Sequence, residues 1–382
     1  AHLFALFEKT GEWTEVLNLV LICLLAKADG GLRPIGLFPS PVRLWMRSRV
    51  FLARTWEAQN ALPQIFGGKG MGAQRAAWEA AFIAEMASRR NLEHIAALLD
   101  LVKAFEMIPH SKLIEAGVRL GYPKRLLKLS LAAYRLMRAV GADGIFAELV
   151  QATRGITAGS GFATSELRLL LIEMVWELVR VWGDDLNIKL YVDDLTLAVT
   201  GKAGHCMAVM DGALRQAKAF LEDHLGMEVS IKKSVAVAGR AALAKAFCKK
   251  SKVKVVKAVA STKLLGVDFA AGRRRSTKVA KARLKTFKKR VTRFQRLRRS
   301  GVNVATMARA AATPAICYGA DIMGVADTTL ESARSAVCSA ASPPAHGRQV
   351  DVTLWVLDGA SGTLDPAFDS VVLGLRHWCY AW

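Results

Sequence analysis

Two aspartates in tandem, Asp193 and Asp194, lie in the run LYVDDLTLAV from Leu190 to Val199, and a third, Asp100, ends the apolar run HIAALLDL from His94 to Leu101. Carboxylates at strand ends can be far apart in sequence and still meet, provided the strands are neighbours in one sheet. Convergence here would gather three hard oxygen donors. Adjacent carboxylates raise each other's pKa, so such a cluster calls for a compensating cation. Mg²⁺, with Mn²⁺ as the alternative, suits hard oxygen ligands together with substrate phosphates. Two such ions match the in-line geometry of nucleotidyl transfer, one at the attacking hydroxyl and one at the triphosphate and its leaving pyrophosphate. A pair of aspartates at a turn is also what a solvated hairpin tip looks like, so the spacing alone leaves both readings open.

The elements around these residues follow from periodicity. Ile188 to Tyr191 and Leu195 to Val199 are β-prone runs joined at a tight turn, which sets the aspartate pair at a hairpin tip. His94 to Leu101 reads as a buried strand delivering Asp100 at its end. Val16 to Lys27 and Leu32 to Pro39 flank Ala28, Asp29, Gly30 and Gly31, a hairpin whose turn brings Lys27 and Arg33 near each other, where two cations could grip a phosphate chain. The glycine-rich stretch Phe66 to Gly72 precedes a helix over Ala73 to Arg90 and reads more simply as a connecting loop than as a nucleotide cradle. Helices are expected over Lys112 to Met137, broken at Gly121 and Pro123, over Thr164 to Trp182 and over Met207 to Leu225. Further strands are expected over Ile145 to Gln151, Glu228 to Val237 and Lys263 to Phe269. The pattern is an α/β, or α+β, fold around a sheet.

The chain has 382 residues, a formal net charge of +22 and 52% hydrophobic residues, so the positive charge decorates a folded body and points to polyanionic partners. Much of it lies in Arg273 to Arg299, which holds fourteen basic residues and no acidic one, with apolar residues at helical spacing. This basic amphipathic helix suits a duplex phosphate backbone, and Arg273, Lys281, Lys285, Lys288, Lys289 and Arg293 are its candidate nucleic-acid contacts. Six cysteines are scattered without zinc-type spacing and read as the reduced thiols of an intracellular protein. The apolar stretch Val16 to Ala26 is about half the length of a membrane span. The start at Ala1 and the apolar end His377 to Trp382 suggest a fragment of a longer protein.

In order along the chain, these motifs resemble the reverse transcriptase family, closest to the enzymes of non-LTR retroelements and group II introns. Tyr191 to Asp194 is similar to its YxDD box, and Asp100 to His110 (DLVKAFEMIPH) to its first catalytic motif, with Glu106 where Asp is usual. Arg33 to Ile35, Gly226 to Ser234 and Leu264 to Val267 resemble its RPI segment, fourth motif and primer grip, and Tyr318 to Ala320 a segment common after the thumb. The resemblance implies a right-hand polymerase. Fingers would cover 1–93 with 111–150, a palm with an antiparallel sheet carrying the carboxylates 94–110 and 151–270, and a basic helical thumb 271–325; 326–382 stays unassigned. It further implies RNA-directed DNA synthesis on an RNA template from a DNA or RNA primer with dNTPs. Asp100, Asp193 and Asp194 would bind metal, and Lys27, Arg33, Phe105, Gly159 and Lys233 would contact substrate. Phe105 would exclude a ribose 2′-hydroxyl sterically, and Lys233 would act near the pyrophosphate.

One segment departs from the family. Its usual RGxxQGxPLSP reads RGITAGSGFAT from Arg154 to Thr164, with Ala158 in place of glutamine. That departure keeps two alternatives in view, a catalytically impaired polymerase fold serving as an RNA-binding scaffold, and an RNA-dependent RNA polymerase. A nuclear location fits a eukaryotic retroelement.

Overall fold

The structure is a computed structural model describing every residue except Ala1, Ala28, Asp29, Lys69, Asp143, Arg274, Ala345 and Trp382, and only the backbone of Ala360, His377, Tyr380 and Ala381. It opens with α1 (His2–Thr10), strands β1 (Val20–Ala26) and β2 (Leu32–Leu37), α2 (Ser40–Gln59), α3 (Ala73–Arg89) and β3 (Glu93–Leu99). Next come α4 (His110–Arg119), α5 (Lys124–Tyr134), β4 (Met137–Ala142), β5 (Ile145–Phe146), β6 (Val150–Gln151) and α6 (Ala163–Trp182). The hairpin β7 (Asn187–Tyr191) and β8 (Asp194–Gly201) leads to α7 (Ala203–Ala219), β9 (Val235–Ala238), α8 (Ala241–Lys250), β10 (Lys257–Ala258), β11 (Thr262–Leu264), β12 (Val267–Phe269) and the basic helix α9 (Lys278–Arg299).

The central sheet runs β10-β9-β3-β8-β7, with β3 antiparallel to both β8 and β9. Strand side chains alternate between faces, and each face has its own cover. Ile95, Ala97 and Leu99 join Leu195, Leu197 and Val199 in the main core beneath α6 and α7. Ala96, Ala198 and Val237 face the other way, against Ala77, Ala80 and Ala84 of α3. Those alanines let α3 lie close to the sheet. Burial on both faces explains why β3 reads as a continuous apolar run.

A second sheet is built on β1, which pairs antiparallel with β2 and parallel with β4. The first strand starts later than expected, at Val20, because Val16 lies in a short 3₁₀ turn and is 93% exposed. Ala28 and Asp29 of the expected turn lie outside the described residues. The strand expected at Ile145 to Gln151 is instead two short returns, β5 and β6, folded against β4. Arg138 and Gly141 hide β4 from an apolar pattern. Glu228 to Val237 is likewise only partly strand, since residues 231–233 form a turn and pairing resumes at Val235.

Lys263 to Phe269 forms a hairpin, β11 and β12, rather than one strand, because Leu265 and Gly266 both take left-handed backbone conformations. Beyond it, Leu284 and Phe287 of α9 pack with Val337, Cys338, Leu354 and Leu364, so residues past 325 close a helical cluster with the basic helix. No helix among the described residues is long and apolar enough to cross a membrane.

Candidate functional site

The hairpin of β7 and β8 turns through two residues, Val192 and Asp193, with Tyr191 opposite Asp194. Val192 has a φ of 59°, a left-handed conformation that strongly disfavours a β-branched residue. Its surroundings hold it there. Phe66 donates its N–H to Leu190 O at 2.8 Å, Leu190 donates to Gln64 O at 2.8 Å, and Gly67 lies against the Val192 backbone. The glycine-rich stretch, read as a connector, therefore buttresses this turn. Its signal was the adjacency of Phe66 and Gly67, whose partner strand no local pattern names.

Asp100 follows the last residue of β3, and Leu99 stands opposite Leu195, so the register carries Asp100 to the level of Asp194. Its backbone is fixed on the other side: Asp100 N–H donates to Ser234 Oγ at 3.0 Å and Ser230 N–H to Asp100 O at 2.8 Å. Burial raises the pKa of Asp193, and Asp100 and Glu106 raise it further while Arg33 opposes them. Asp194 is pushed up to about 6, first by desolvation and then by the charges of Asp193 and Asp100. The three carboxylates form one electrostatic unit.

Among the described residues, no group of three or more His, Cys, Asp or Glu side chains stands close enough to hold a metal ion in this arrangement. The chemistry of the donor set fits a hard divalent cation: three oxygen acids, two of them destabilised as anions by burial and mutual repulsion.

The charge of Arg33 opposes the rise in the Asp193 pKa, and Lys233 Nζ lies 3.9 Å from Asp100 Oδ1. Lys27 pairs with Gly31 at the far end of the hairpin, with its side chain exposed. Phe105 is partly buried against the core, and its carbonyl accepts the Ile156 N–H at 2.7 Å. Gly159, expected at the substrate, lies directly on the Gly36 carbonyl, where any Cβ would collide. Packing alone demands glycine there. Glu106, noted in the sequence as the residue standing where Asp is usual, also raises the Asp193 pKa and was not among the expected site residues.

The divergent Arg154 to Thr164 segment runs between the Asp100 turn and β2. Gly155 N–H donates to Ile108 O at 2.7 Å, and Gly36 N–H donates to Ala158 O at 2.6 Å. Ala158 opens onto a cavity of about 330 Å³ shared with Pro34, Glu106, Arg138 and Thr157. Arg138 donates to Thr157 Oγ1 at 3.0 Å, while its Nε is buried without a partner. Beneath, the Tyr134 hydroxyl bridges Ser160 Oγ, 2.8 Å away, and the carboxyl of Glu166. Burial pushes Glu166 up to about 8.

The basic residues stand apart from this centre. Lys281, Lys285, Lys288, Lys289 and Arg293 are exposed along α9, with Lys288 donating to Ser332 Oγ. Arg273 lies near the opposite end of β3 from Asp100, donating to Asn91 Oδ1 at 3.3 Å.

Residues 25–269 match the family model described as reverse transcriptase (RNA-dependent DNA polymerase). No curated protein matches the sequence. The fold is similar to telomerase from Candida albicans in complex with a TWJ fragment of telomeric RNA, at TM-score 0.51 and 10% identity over 92% of this chain and 70% of that one. Apo telomerase from Candida tropicalis gives 0.50 and 11% over 94% and 63%. A form of that telomerase truncated from its C-terminal domain is spanned over 54% of its length, at TM-score 0.46. At such identities the likeness establishes a shared mixed α/β fold. The match over 25–269 settles the family: this chain belongs to the reverse transcriptases, the RNA-dependent DNA polymerases.

Proposed function

We propose that this chain is an RNA-directed DNA polymerase of a retroelement, adding dNTPs to a primer 3′-hydroxyl on an RNA template. The observation that carries this reading is the register of β3 against β8, which brings Asp100 level with Asp194 at the mouth of the central sheet. Asp100, Asp193 and Asp194 would hold Mg²⁺, which when bound neutralises phosphate charge and makes a hydroxyl a better nucleophile. Arg33 and Lys233 would bind the triphosphate. Phe105 lies on the turn that follows Asp100 and would contact the sugar. The central sheet serves as palm, the β1–β2 hairpin with α2 and α3 as fingers, and α9 as the start of a thumb whose cluster runs on past 325.

Purified protein is expected to extend a DNA primer on an RNA template with Mg²⁺ and to prefer deoxynucleotides. A preference for ribonucleotides would favour RNA synthesis. The altered Arg154 to Thr164 segment, with Ala158 in place of glutamine, supports a second reading, a polymerase fold kept as an RNA-binding scaffold. Tight RNA binding with no incorporation would establish that reading and sink the first. Charge reversal at Lys281, Lys285 and Lys289 should weaken template binding and lower the slope of log K against log salt by up to about 3. An unchanged slope removes α9 from the binding surface.

A further inference from the structure

The Leu264 to Val267 turn is held from outside its own hairpin. Leu265 has a φ of 46° and Gly266 of 89°. Left-handed geometry at a leucine persists where surrounding bonds enforce it. Here the enforcing groups come from two distant segments. Arg283 of α9 donates one Nη to Gly266 O and the other to Tyr318 O at 2.7 Å. The Tyr318 hydroxyl donates to Leu265 O at 3.0 Å. The Arg283 guanidinium lies 4.9 Å from the Tyr318 ring centre, completing a closed clamp. There is no spare room: a Cβ on Gly266 would sit 3.1 Å from the Tyr318 ring and 3.2 Å from Arg283.

The clamp reaches in both directions. On one side, Asp268 of β12 accepts the N–H groups of Val279 and Ala280 and the Ser276 hydroxyl, capping α9 and fixing it to the same hairpin. On the other, Tyr318 and Leu265 pack against the same apolar cluster as Leu98 of β3 and Ala198 of β8, the two strands that lead to Asp100 and Asp194. A planar fork on two carbonyls is a geometric restraint that a lysine point charge does not reproduce.

We propose that Arg283 and Tyr318 are positioning residues, which set the Leu264–Val267 turn relative to Asp193 and Asp194 and thereby align the primer terminus for attack. The inference rests on the polymerase reading above. Neither side chain touches the reacting atoms. They act through the turn's carbonyls, so their loss should misplace a bound primer end while leaving the nucleotide site intact.

The test compares wild type with Tyr318→Phe and Arg283→Lys on an RNA template carrying a DNA primer. Single-nucleotide incorporation with Mg²⁺ should lose about tenfold or more in kcat in both variants, with nucleotide KM within about twofold. Leu243→Ala, which opens a gap under α8 away from α9 and the turn, should lower the melting temperature and keep kcat. Wild-type kcat in both clamp variants, or an equal loss in Leu243→Ala, overturns the inference. A second readout needs no turnover: with Ca²⁺, wild type should bind template with a recessed primer end more tightly than bare template, and the clamp variants should lose that preference. Retention of the preference in both variants also overturns it. A wild type that binds primed template selectively but incorporates nothing defeats the polymerase reading alone.

Discussion

Two tight turns carry the proposed chemistry of this protein, and they are built alike but held differently. The Tyr191–Asp194 turn and the Leu264–Val267 turn each put a bulky aliphatic residue, Val192 at φ 59° and Leu265 at φ 46°, in the left-handed region. The first is held by backbone bonds, with Phe66 and Gln64 paired to Leu190 along the sheet edge. The second depends on Arg283 and Tyr318, which arrive from the helical cluster. Carboxylates that repel one another need a rigid frame, which backbone pairing supplies.

The largest effect that tests this contrast is at the acids. Asp193→Ala or Asp194→Ala should lower incorporation by at least about 10³-fold, whereas Leu265→Ala should cost about tenfold, because one removes charge chemistry and the other alignment. Equal losses in a single-turnover assay would erase the distinction.

A smaller effect concerns the support beneath the Arg154 to Thr164 segment. The Glu166 carboxyl supports Ser160 through Tyr134 and holds its proton up to about 8 in the folded state, against a value of 4.5 when unperturbed. The folded protein therefore binds the extra proton between those values, and stability should fall as pH rises through that window. Wild type is expected to lose on the order of a few kcal/mol between pH 5 and pH 8.5 in urea melts, and Glu166→Gln much less of it. A parallel pH profile in the two proteins would mean that Glu166 is charged in the fold.

The smallest effect lies in the strain itself. Val192→Gly should relieve about 1–2 kcal/mol of backbone strain, partly offset by the freedom gained in the unfolded chain. The expected outcome is an unchanged or slightly raised melting temperature with several-fold slower incorporation. A loss of stability would show that the Val192 side chain, which packs against the core, matters more than its φ.

Much of the central sheet was legible in the sequence. β3 and β8 keep largely apolar runs because both faces of the sheet are covered, and their ends carry acids that no buried strand would otherwise tolerate, whereas β7 carries a buried Lys189 at its centre. β4 was not legible, since Arg138 and Gly141 break its pattern and only pairing with β1 makes it a strand. The β11–β12 turn was missed for a similar reason: Leu264 and Leu265 prolong the apolar run while the backbone reverses beneath them. Tyr318 gave only the faint signal of a Tyr-Gly-Ala segment, because its partners lie 35 and 53 residues away.

The sequence by itself determined the chemistry available: which residues carry hard oxygen donors, which helix carries the charge, and which strands can be buried. Residue type and short-range period encode these properties locally. Only the tertiary structure decided that Asp100 reaches Asp194, that Phe66 and Gly67 brace Val192, that Gly159 yields to Gly36, and that Arg283 and Tyr318 grip the second turn. Those relations depend on strand register and on packing between segments far apart in the chain, which no local pattern records.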